Sequence, residues 1–212
     1  MSLQPGSTPA VHLVDDEDAV RDALRFLLRS HGLDVFAYAS GPEFLEAVDA
    51  QPLRGCLVLD IRMEPMSGLQ VHGALRQRGF VLPVLFLSGH GDIPMAVEAL
   101  QNGAVDFLEK PFSGDYLVQR VQRALALEAD QHASLVQQAK ALERLHGLTD
   151  RELAVMRLVA AGKLNKIIAD ELCVAVRTVE VHRSRVFEKL QVRSAAELAT
   201  LLAGLATRDT VI

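Results

Sequence analysis

The stretch Val11-His-Leu-Val-Asp-Asp-Glu-Asp18 is a short, mainly apolar run that ends directly in a cluster of carboxylates. Three similar apolar runs follow at residues 56–59, 84–87 and 105–108, and a weaker one lies at residues 33–37. Wholly or mainly apolar runs of this length are typical of strands buried on both faces. Between them, apolar residues recur with helical spacing. The alternation predicts an α/β fold with a doubly wound, five-stranded parallel sheet and helices on both faces.

Composition and charge exclude several classes of protein. The 212 residues include 22 basic and 27 acidic side chains, for a net charge of −5. Half of all residues are apolar. One or two folded domains fit this chain, and no apolar run is long enough for a transmembrane helix. Its two cysteines, Cys56 and Cys173, have no partner at metal-ligand spacing. Because residues 1–9 also lack the pattern of a signal peptide, we expect a cytoplasmic protein with no membrane partner.

Polar side chains stand directly after the predicted strands. Asp15 and Asp16, Asp60, Ser88 and Lys110 follow four of them, and the carboxyl ends of parallel strands meet at one edge of an open sheet. Each residue alone has an ordinary explanation as a helix cap, a loop residue or a solvated charge. Together, three carboxylates need a cation, and an oxygen-only set of ligands favours Mg²⁺. A carboxylate beside Mg²⁺, a lysine and a hydroxyl can attack phosphorus and hold the resulting acyl phosphate.

Four segments resemble one known family in their order and position. They are Val11–Asp18, Leu57-Val-Leu-Asp-Ile-Arg-Met63, Leu87-Ser-Gly-His-Gly-Asp-Ile-Pro-Met95 and Gly103-Ala-Val-Asp-Phe-Leu-Glu-Lys-Pro-Phe112. Through them, residues 10–128 are similar to the receiver domain of two-component response regulators, most closely of the FixJ type. The resemblance implies a flavodoxin-like fold for this part of the chain.

The same resemblance implies a phosphoacceptor and a metal site. Asp60 would be the phosphoacceptor. Asp16 and the backbone carbonyl of Arg62 would bind Mg²⁺ directly, Asp15 would help through water, and Asp60 would also belong to the metal site. The loop Met63-Glu64-Pro65-Met66 departs from the family, which usually has Met-Pro-Gly-Met there. The shape of the loop beside the expected metal site is therefore open.

Three further residues take implied roles in binding and switching. Ser88 and Lys110 would hold the phosphoryl group, and the Lys110–Pro111 peptide bond would be cis, which only a bond to proline permits at low cost. Phe107 would be the switch aromatic, which turns inward as Ser88 moves toward the phosphate. Plain packing in a buried strand would also explain a phenylalanine at this position.

Residues 129–146 form a predicted helical linker. Leu135, Ala139, Leu142 and Leu145 keep helical spacing on an otherwise polar segment. This stripe could pair with a second chain as a short coiled coil or dock on its own chain, because the heptads are too few to decide.

The last part of the chain is a separate basic module. Residues 148–212 carry 10 basic and 8 acidic side chains, against 10 basic and 17 acidic in residues 1–129. Thr149-Asp-Arg-Glu152 is a capping box, which marks the start of a domain. Three further helical patterns follow, at residues 166–172, 176–190 and 195–202. Short helices joined by tight turns predict a small all-α helix-turn-helix domain.

This domain, at residues 147–212, resembles the LuxR-type DNA-binding domain. The segments that carry the likeness are Leu148–Glu152, Gly162–Ala169, Thr178–His182 and Lys189–Val192. By this likeness the helix at residues 176–190 enters the major groove. The residues that match base-facing positions are Glu180, Val181 and Ser184. Neighbours that could read bases or phosphates are Arg177, Thr178 and Arg183, and the expected phosphate contacts are Asn165, Lys166, Arg185 and Lys189.

Joined in one chain, the two resemblances imply a phosphorylation-dependent transcription regulator rather than an enzyme. A histidine kinase would supply the phosphate, and the phosphorylated protein would form a homodimer and bind promoter DNA, with RNA polymerase as a further candidate partner. The alternative is a DNA-binding regulator whose receiver serves only as a phosphate-independent dimerisation module. An aspartyl-phosphate hydrolase would need an acid or base two residues after Asp60, where this chain has Arg62.

Overall fold

The structure, a computed structural model, describes residues 8–51, 53–89 and 93–206. Most of the leader at residues 1–9, part of the third family segment at residues 90–92, and residues 207–212 of the predicted DNA-binding domain lie outside the described residues. The chain divides into two compact units, Met1–Ala133 and Ser134–Ile212. Apart from the helix that crosses this boundary, the first unit is α/β and the second is helical, as the sequence predicts. Among the described residues, no helix is both long and apolar enough to cross a membrane.

A five-stranded parallel sheet forms the centre of the first unit, with the strand order β2-β1-β3-β4-β5. Its strands are β1 (Ala10–Val14), β2 (Val35–Tyr38), β3 (Gly55–Asp60), β4 (Val84–Ser88) and β5 (Asp106–Glu109). The helices that follow them are α1 (Asp18–Ser30), α2 (Gly41–Ala50), α3 (Gly68–Gln77), α4 (Ile93–Gln101) and α5 (Gly114–His146). The predicted doubly wound parallel sheet is confirmed.

Both faces of the sheet are buried because its central strands are almost wholly apolar. Successive residues of β1 point to opposite faces. Val11 and Leu13 join a core with residues of α1 and α5, whereas Val14 joins a second core with residues of α2 and α3. All residues of β3 are buried. The two cores hold the carboxyl ends of β1, β3 and β5 at one edge of the sheet.

Two histidines lie buried in the first unit. In the His12 ring, Nδ1 is 3.3 Å from the Tyr38 hydroxyl and Nε2 is 3.2 Å from the carbonyl oxygen of Arg54. His72 packs edge-on against Phe86, with ring centroids 5.6 Å apart. Burial lowers the pKa of both histidines, because a low-dielectric surrounding disfavours the charged ring.

The last helix of the first unit continues without a break into the second unit. This helix, α5, has 33 residues, so the predicted helical continuation through residues 129–146 is observed. A bidentate ion pair fixes it to the sheet, since Nε and Nη2 of Arg54 donate to the two carboxylate oxygens of Glu128 at 3.0 and 3.1 Å. Bidentate pairs of this kind fix orientation as well as adding energy.

Four helices make up the rest of the described second unit: α6 (Asp150–Ala160), α7 (Asn165–Leu172), α8 (Val176–Leu190) and α9 (Ala195–Ala206). The predicted capping box at the start of α6 is confirmed, because the Thr149 hydroxyl accepts from the Glu152 backbone N–H and the Glu152 carboxylate accepts from the Thr149 backbone N–H. The helix α8 buries Val179, Val186 and Leu190 in the core of this unit. Its opposite face is thereby left toward solvent.

Candidate functional site

Three of the predicted residues meet directly at the carboxyl edge of the sheet. Asp60 ends β3, Asp15 follows β1 and Lys110 follows β5. The ammonium of Lys110 lies 2.7 Å from Oδ1 of Asp60 and 3.2 Å from Oδ2 of Asp15. Asp15 is completely buried and Asp60 is 6% exposed. We call these three residues the rim site.

Backbone contacts hold the two carboxylates of the rim site in place. The second oxygen of Asp15 accepts from the backbone N–H of Glu17 at 2.9 Å, and the second oxygen of Asp60 accepts from the backbone N–H of Arg62 at 2.9 Å. Behind Asp60, α3 begins so close that a Cβ atom on Gly68 would lie 2.2 Å from the Asp60 carbonyl oxygen. Only glycine fits there without a shift of the backbone.

In the rim site, the single ammonium of Lys110 pairs with the two buried carboxylates of Asp15 and Asp60, and this arrangement determines the electrostatics. Burial raises the pKa of Asp60 and repulsion from Asp15 adds to this, although the hydrogen bond and charge of Lys110 work in the opposite direction. Burial alone would lower the pKa of Lys110, but its hydrogen bond and attraction to Asp60, with those to Asp15, raise it. The site keeps a net negative charge, so it holds its proton on lysine firmly and favours a further cation.

The other predicted receiver residues surround the rim site. Ser88 is buried at the end of β4, and its hydroxyl donates to the Gly89 carbonyl at 3.0 Å. The carbonyl of Ser88 also accepts from the backbone N–H of Lys110 at 2.6 Å, so this residue is tied to the rim. Phe107 is half-buried and packs against the core on the α2 and α3 side. The Lys110–Pro111 peptide bond is cis, as the family resemblance implies.

The loop that departs from the family pattern contacts the remaining carboxylate. Asp16 is exposed, and its Oδ2 accepts from the backbone N–H of Glu64 at 3.3 Å. The Glu64–Pro65 peptide bond that follows is cis. Asp16 thus lies at the border of the rim site and is held by the loop after β3.

The oxygen atoms of this region have the chemistry that Mg²⁺ prefers. Asp15 and Asp16 follow β1, and Asp60 and Arg62 lie at the end of the neighbouring strand β3. Within the described ranges, no three His, Cys, Asp or Glu side chains are grouped closely enough to hold a metal ion. Instead, an ammonium stands between the two buried carboxylates. The chemistry of the donor set fits Mg²⁺.

Most of the residues predicted to bind DNA form one exposed face. On α8 these are Arg177, Thr178, Glu180, Val181, Ser184 and Arg185, which we call the recognition surface. Nη1 of Arg177 donates to the Glu180 carboxylate at 3.2 Å, on the solvent side. Lys166 is also exposed, in the first turn of α7. These side chains are accessible to a DNA groove and its phosphates.

Arg183 and Asn165 are partly turned away from solvent and bind one another. Nη1 of Arg183 donates to Oδ1 of Asn165 at 3.0 Å, and the guanidinium lies over the ring of Phe187 at 5.2 Å from its centroid. Because arginine can only donate, its partner must be the amide oxygen, and the NH₂ group of Asn165 points elsewhere. Arg183 therefore joins α8 to the first turn of α7.

Lys189 is also engaged inside the unit. Its ammonium lies 2.7 Å from the Glu152 carboxylate and 3.1 Å from the carbonyl oxygen of Gly147. The hydrogen bond from Lys189, with one from the Thr149 backbone, lowers the pKa of Glu152 to about 2. Sequence reasoning identified Glu152 as a capping residue but missed this pairing, because no local pattern connects residues 37 positions apart.

The fold and the two sites together define a regulator that receives a signal on a parallel α/β domain and acts through a helical DNA-binding domain. Comparison with known proteins gives the family. The chain matches the response regulator receiver domain over residues 11–122 and the luxR family of bacterial regulatory proteins over residues 146–202. It belongs to the two-component response regulators that carry a LuxR-type DNA-binding domain, and it is a transcriptional regulatory protein.

Similar proteins match along nearly the whole chain. The transcriptional regulatory protein FixJ of Azorhizobium caulinodans is 43% identical over 97% of both chains. The tetrathionate response regulatory protein TtrR of Salmonella typhimurium is 44% identical over 95% of this chain and 96% of its own. The solved structure of the response regulator StyR has a TM-score of 0.82 at 40% identity, covering 93% of this chain and 99% of that one. Full-length FixJ from B. japonicum has a TM-score of 0.59 at 36% identity, covering 95% and 99%. The resemblance to FixJ-type regulators is confirmed.

Proposed function

We propose that this regulator is switched by transfer of a phosphoryl group from a histidine kinase to Asp60. The observation that carries the proposal is the rim site, where the Lys110 ammonium lies 2.7 Å from the buried Asp60 carboxylate and 3.2 Å from Asp15. A carboxylate in contact with a cation, at the open end of a sheet, is placed to act as a nucleophile toward phosphorus and to keep its product charge-balanced.

In the transfer, an oxygen of Asp60 forms a bond to phosphorus, and the bond from phosphorus to the kinase histidine nitrogen breaks. The Lys110 ammonium attracts the phosphoryl oxygens, and the Ser88 hydroxyl turns from the Gly89 carbonyl to donate to one of them. Asp15, Asp16, Asp60 and the carbonyl of Arg62 would hold Mg²⁺. When bound there, this ion supplies charge neutralisation of the phosphoryl oxygens and of the carboxylates.

The consequence for the rest of the receiver follows from the contacts of Lys110. Its ammonium contacts the Asp60 carboxylate. Its backbone N–H donates to the Ser88 carbonyl and so connects the ends of β5 and β4. A phosphoryl group on Asp60 competes for the ammonium and for the Ser88 hydroxyl, so both strand ends shift. We propose that Phe107, on β5, then turns inward and that the face formed by α4, β5 and α5 becomes competent to pair with a second copy.

The output of the proposed switch is promoter binding. A dimer would present two recognition surfaces to half-sites about one turn of DNA apart. Base reading is proposed for Glu180, Val181 and Ser184, with Arg177 and Thr178 beside them, and phosphate contacts are proposed for Lys166 and Arg185. The working division of the chain is a receiver at residues 10–128, a linker at 129–146 and a DNA-binding domain at 147–212. Bound at a promoter, the dimer would act on RNA polymerase.

The experiment that tests the proposal is phosphoryl transfer measured by intact mass. The full chain is incubated with acetyl phosphate, with and without Mg²⁺, beside Asp60→Asn and the control Asp49→Asn, which alters an exposed aspartate paired with Arg78. We expect one added phosphoryl group in the wild type and in Asp49→Asn only when Mg²⁺ is present, and none in Asp60→Asn. Equal modification of Asp60→Asn would overturn the assignment, and no modification of any form would favour a receiver that serves only in dimerisation.

A further inference from the structure

We infer that Lys189 is a positioning residue that fixes the direction in which the linker end of α5 meets the recognition helix α8, rather than a contact to a DNA phosphate. The inference deepens the proposed function, because it concerns how a change in the linker reaches the DNA-binding face. It rests on contacts that lie wholly within the second unit, residues 134–212.

One ammonium connects the ends of two helices. Lys189 lies in the last turn of α8, and its Nζ donates to the carbonyl oxygen of Gly147 at 3.1 Å. Gly147 directly follows α5, and its backbone N–H donates to the carbonyls of Glu143 and Arg144, each at 3.2 Å. The residue that directly follows the linker helix is thus bound by a side chain from the last turn of the recognition helix.

The second partner of Lys189 makes this connection rigid. The Glu152 side chain is 4% exposed and also accepts from the Thr149 backbone N–H at 2.9 Å and from the Thr149 hydroxyl at 3.0 Å. Thr149 and Glu152 begin α6 through the capping box. Lys189 therefore joins three points: the end of α5, the start of α6 and the end of α8.

The same contacts argue against a phosphate contact. To reach DNA, the Lys189 ammonium would have to leave a buried carboxylate without its cation, which is strongly unfavourable. An exposed contact with a DNA phosphate would regain much less free energy than this loss costs, because solvent and salt screen the contact. The side chain is 40% exposed, but its ammonium is held by two partners of its own unit.

The consequence is that α5 and α8 change direction together. A helix that is tied to the recognition helix at one point passes on its own displacement, whereas a loose joint would absorb it. In a dimer, the spacing of the two recognition helices then depends on the linker. Loss of Lys189 should loosen this joint while leaving the charge of the recognition surface in place.

The first test separates the two roles of lysine by salt dependence. The full chain, Lys189→Gln, and the matched control Lys166→Gln are titrated with a mixed-sequence 20-base-pair duplex at several salt concentrations. A lost phosphate contact lowers the slope of log K against log salt by about 0.9. We expect this loss for Lys166→Gln and an unchanged slope for Lys189→Gln. A slope lowered equally in both variants would overturn the inference.

The second test measures the joint itself. The native Cys173 is exposed and Cys56 is buried, so Cys173 and an introduced Gln137→Cys in the linker can carry a pair of spin labels within the second unit. We expect one narrow distance distribution in the parent and in Lys166→Gln, and a distribution broadened at least twofold in Lys189→Gln and in Glu152→Gln at a temperature where circular dichroism shows intact helices. Unchanged widths in both variants would refute a positioning role.

Lys189→Arg keeps the cation and should restore most of the narrow distribution, which a variant that merely fails to fold would not do. Neither test uses phosphorylated protein. Failure of phosphoryl transfer to Asp60 therefore leaves their outcome intact, and their failure leaves the assignment of Asp60 untouched.

Discussion

The rim site was predicted from residue type and position and the DNA-binding residues from a family resemblance, and the structure places these two sets of side chains differently. At the rim, Asp15, Asp60 and Lys110 make direct contacts with one another. In the DNA-binding unit, Arg183 and Lys189 carry the right charge but are bound inside the unit. A residue at the end of a buried strand has its place fixed by the sheet. A long basic side chain on a helix can point either way, so charge and helical position alone do not identify a DNA contact.

The largest effect should come from removing the cation of the rim site. In Lys110→Met, two buried carboxylates lose their shared partner, and the phosphoryl group loses one of the charges that would stabilise it. We expect phosphorylation by acetyl phosphate to slow on the order of 100-fold, measured by intact mass over time. Lys140→Met, an exposed lysine of the linker, is the control and should react like the wild type. If Lys110→Met reacts at the wild-type rate, the contact at the rim has no part in the chemistry.

The next effect is on the stability of the second unit, which contains the buried carboxylate of Glu152. Glu152→Gln weakens three hydrogen bonds and leaves Lys189 without its anion. We expect a loss of about 2 kcal/mol in the free energy of unfolding, measured by urea denaturation of the full chain. Exposed Glu188→Gln, one residue before Lys189, should change it by less than about 0.5 kcal/mol.

The stability of the protein at acid pH should show the contribution of the same carboxylate, Glu152. The pKa of Glu152 is lowered from 4.5 to about 2, so the folded state binds its proton less readily than the unfolded state. Its stabilising contribution is present above pH 4.5 and is lost as the pH falls toward 2. The difference in stability between wild type and Glu152→Gln should therefore shrink across this range, and a constant difference would contradict the assignment of the shift.

A smaller effect should separate Arg183 from the residues of the recognition surface. If Arg183 acts by holding Asn165, the two substitutions Arg183→Met and Asn165→Ala weaken DNA binding through one shared contact. A double-mutant cycle on DNA affinity should then give a coupling of about 1 kcal/mol. The pair Arg185→Met and Asn165→Ala should be additive. Additivity in both pairs would show that Arg183 reads DNA independently.

The buried histidines give the mildest test, in the first unit. Burial lowers the pKa of His12 and His72, so the unfolded chain binds protons that the folded sheet excludes. Stability of this unit should rise with pH up to about 6.5 and then level off. His72→Leu keeps an apolar side chain against Phe86 and should reduce this dependence in urea denaturation at about pH 5 and about pH 7.5. An unchanged dependence would assign it to other groups.

Much of the fold could be predicted because the buried strands of a parallel sheet appear in the sequence as apolar runs. All five predicted strands lie within two residues of the observed ones, and the largest offset is at the weak run 33–37, whose strand begins two residues later, at Val35. The displacement has a local cause, since the Leu33 backbone N–H still donates to Leu28 at the end of α1. The start of α6 at Asp150 follows from the capping box.

What the sequence did not predict depends on contacts between distant residues. The Arg54–Glu128 pair joins positions 74 residues apart, and Lys189 meets Glu152 across 37. Neither pair leaves a periodic or local pattern. The sequence predicts that Lys110 and both carboxylates lie at the same edge of the sheet. It does not predict that no tight group of three carboxylates forms among the described residues, because this depends on the positions of the side chains.

Phosphorylation of Asp60 is proposed to control both dimerisation and DNA binding. The most direct measurement is the mass of the full chain by analytical ultracentrifugation, together with its affinity for promoter-length DNA, with and without Mg²⁺ and acetyl phosphate, for the wild type and Asp60→Asn. We predict that the wild type alone shifts from monomer to dimer and binds DNA at least tenfold more tightly when both additions are present. If both proteins have the same mass and affinity under every condition, the receiver is a scaffold and the switch does not exist.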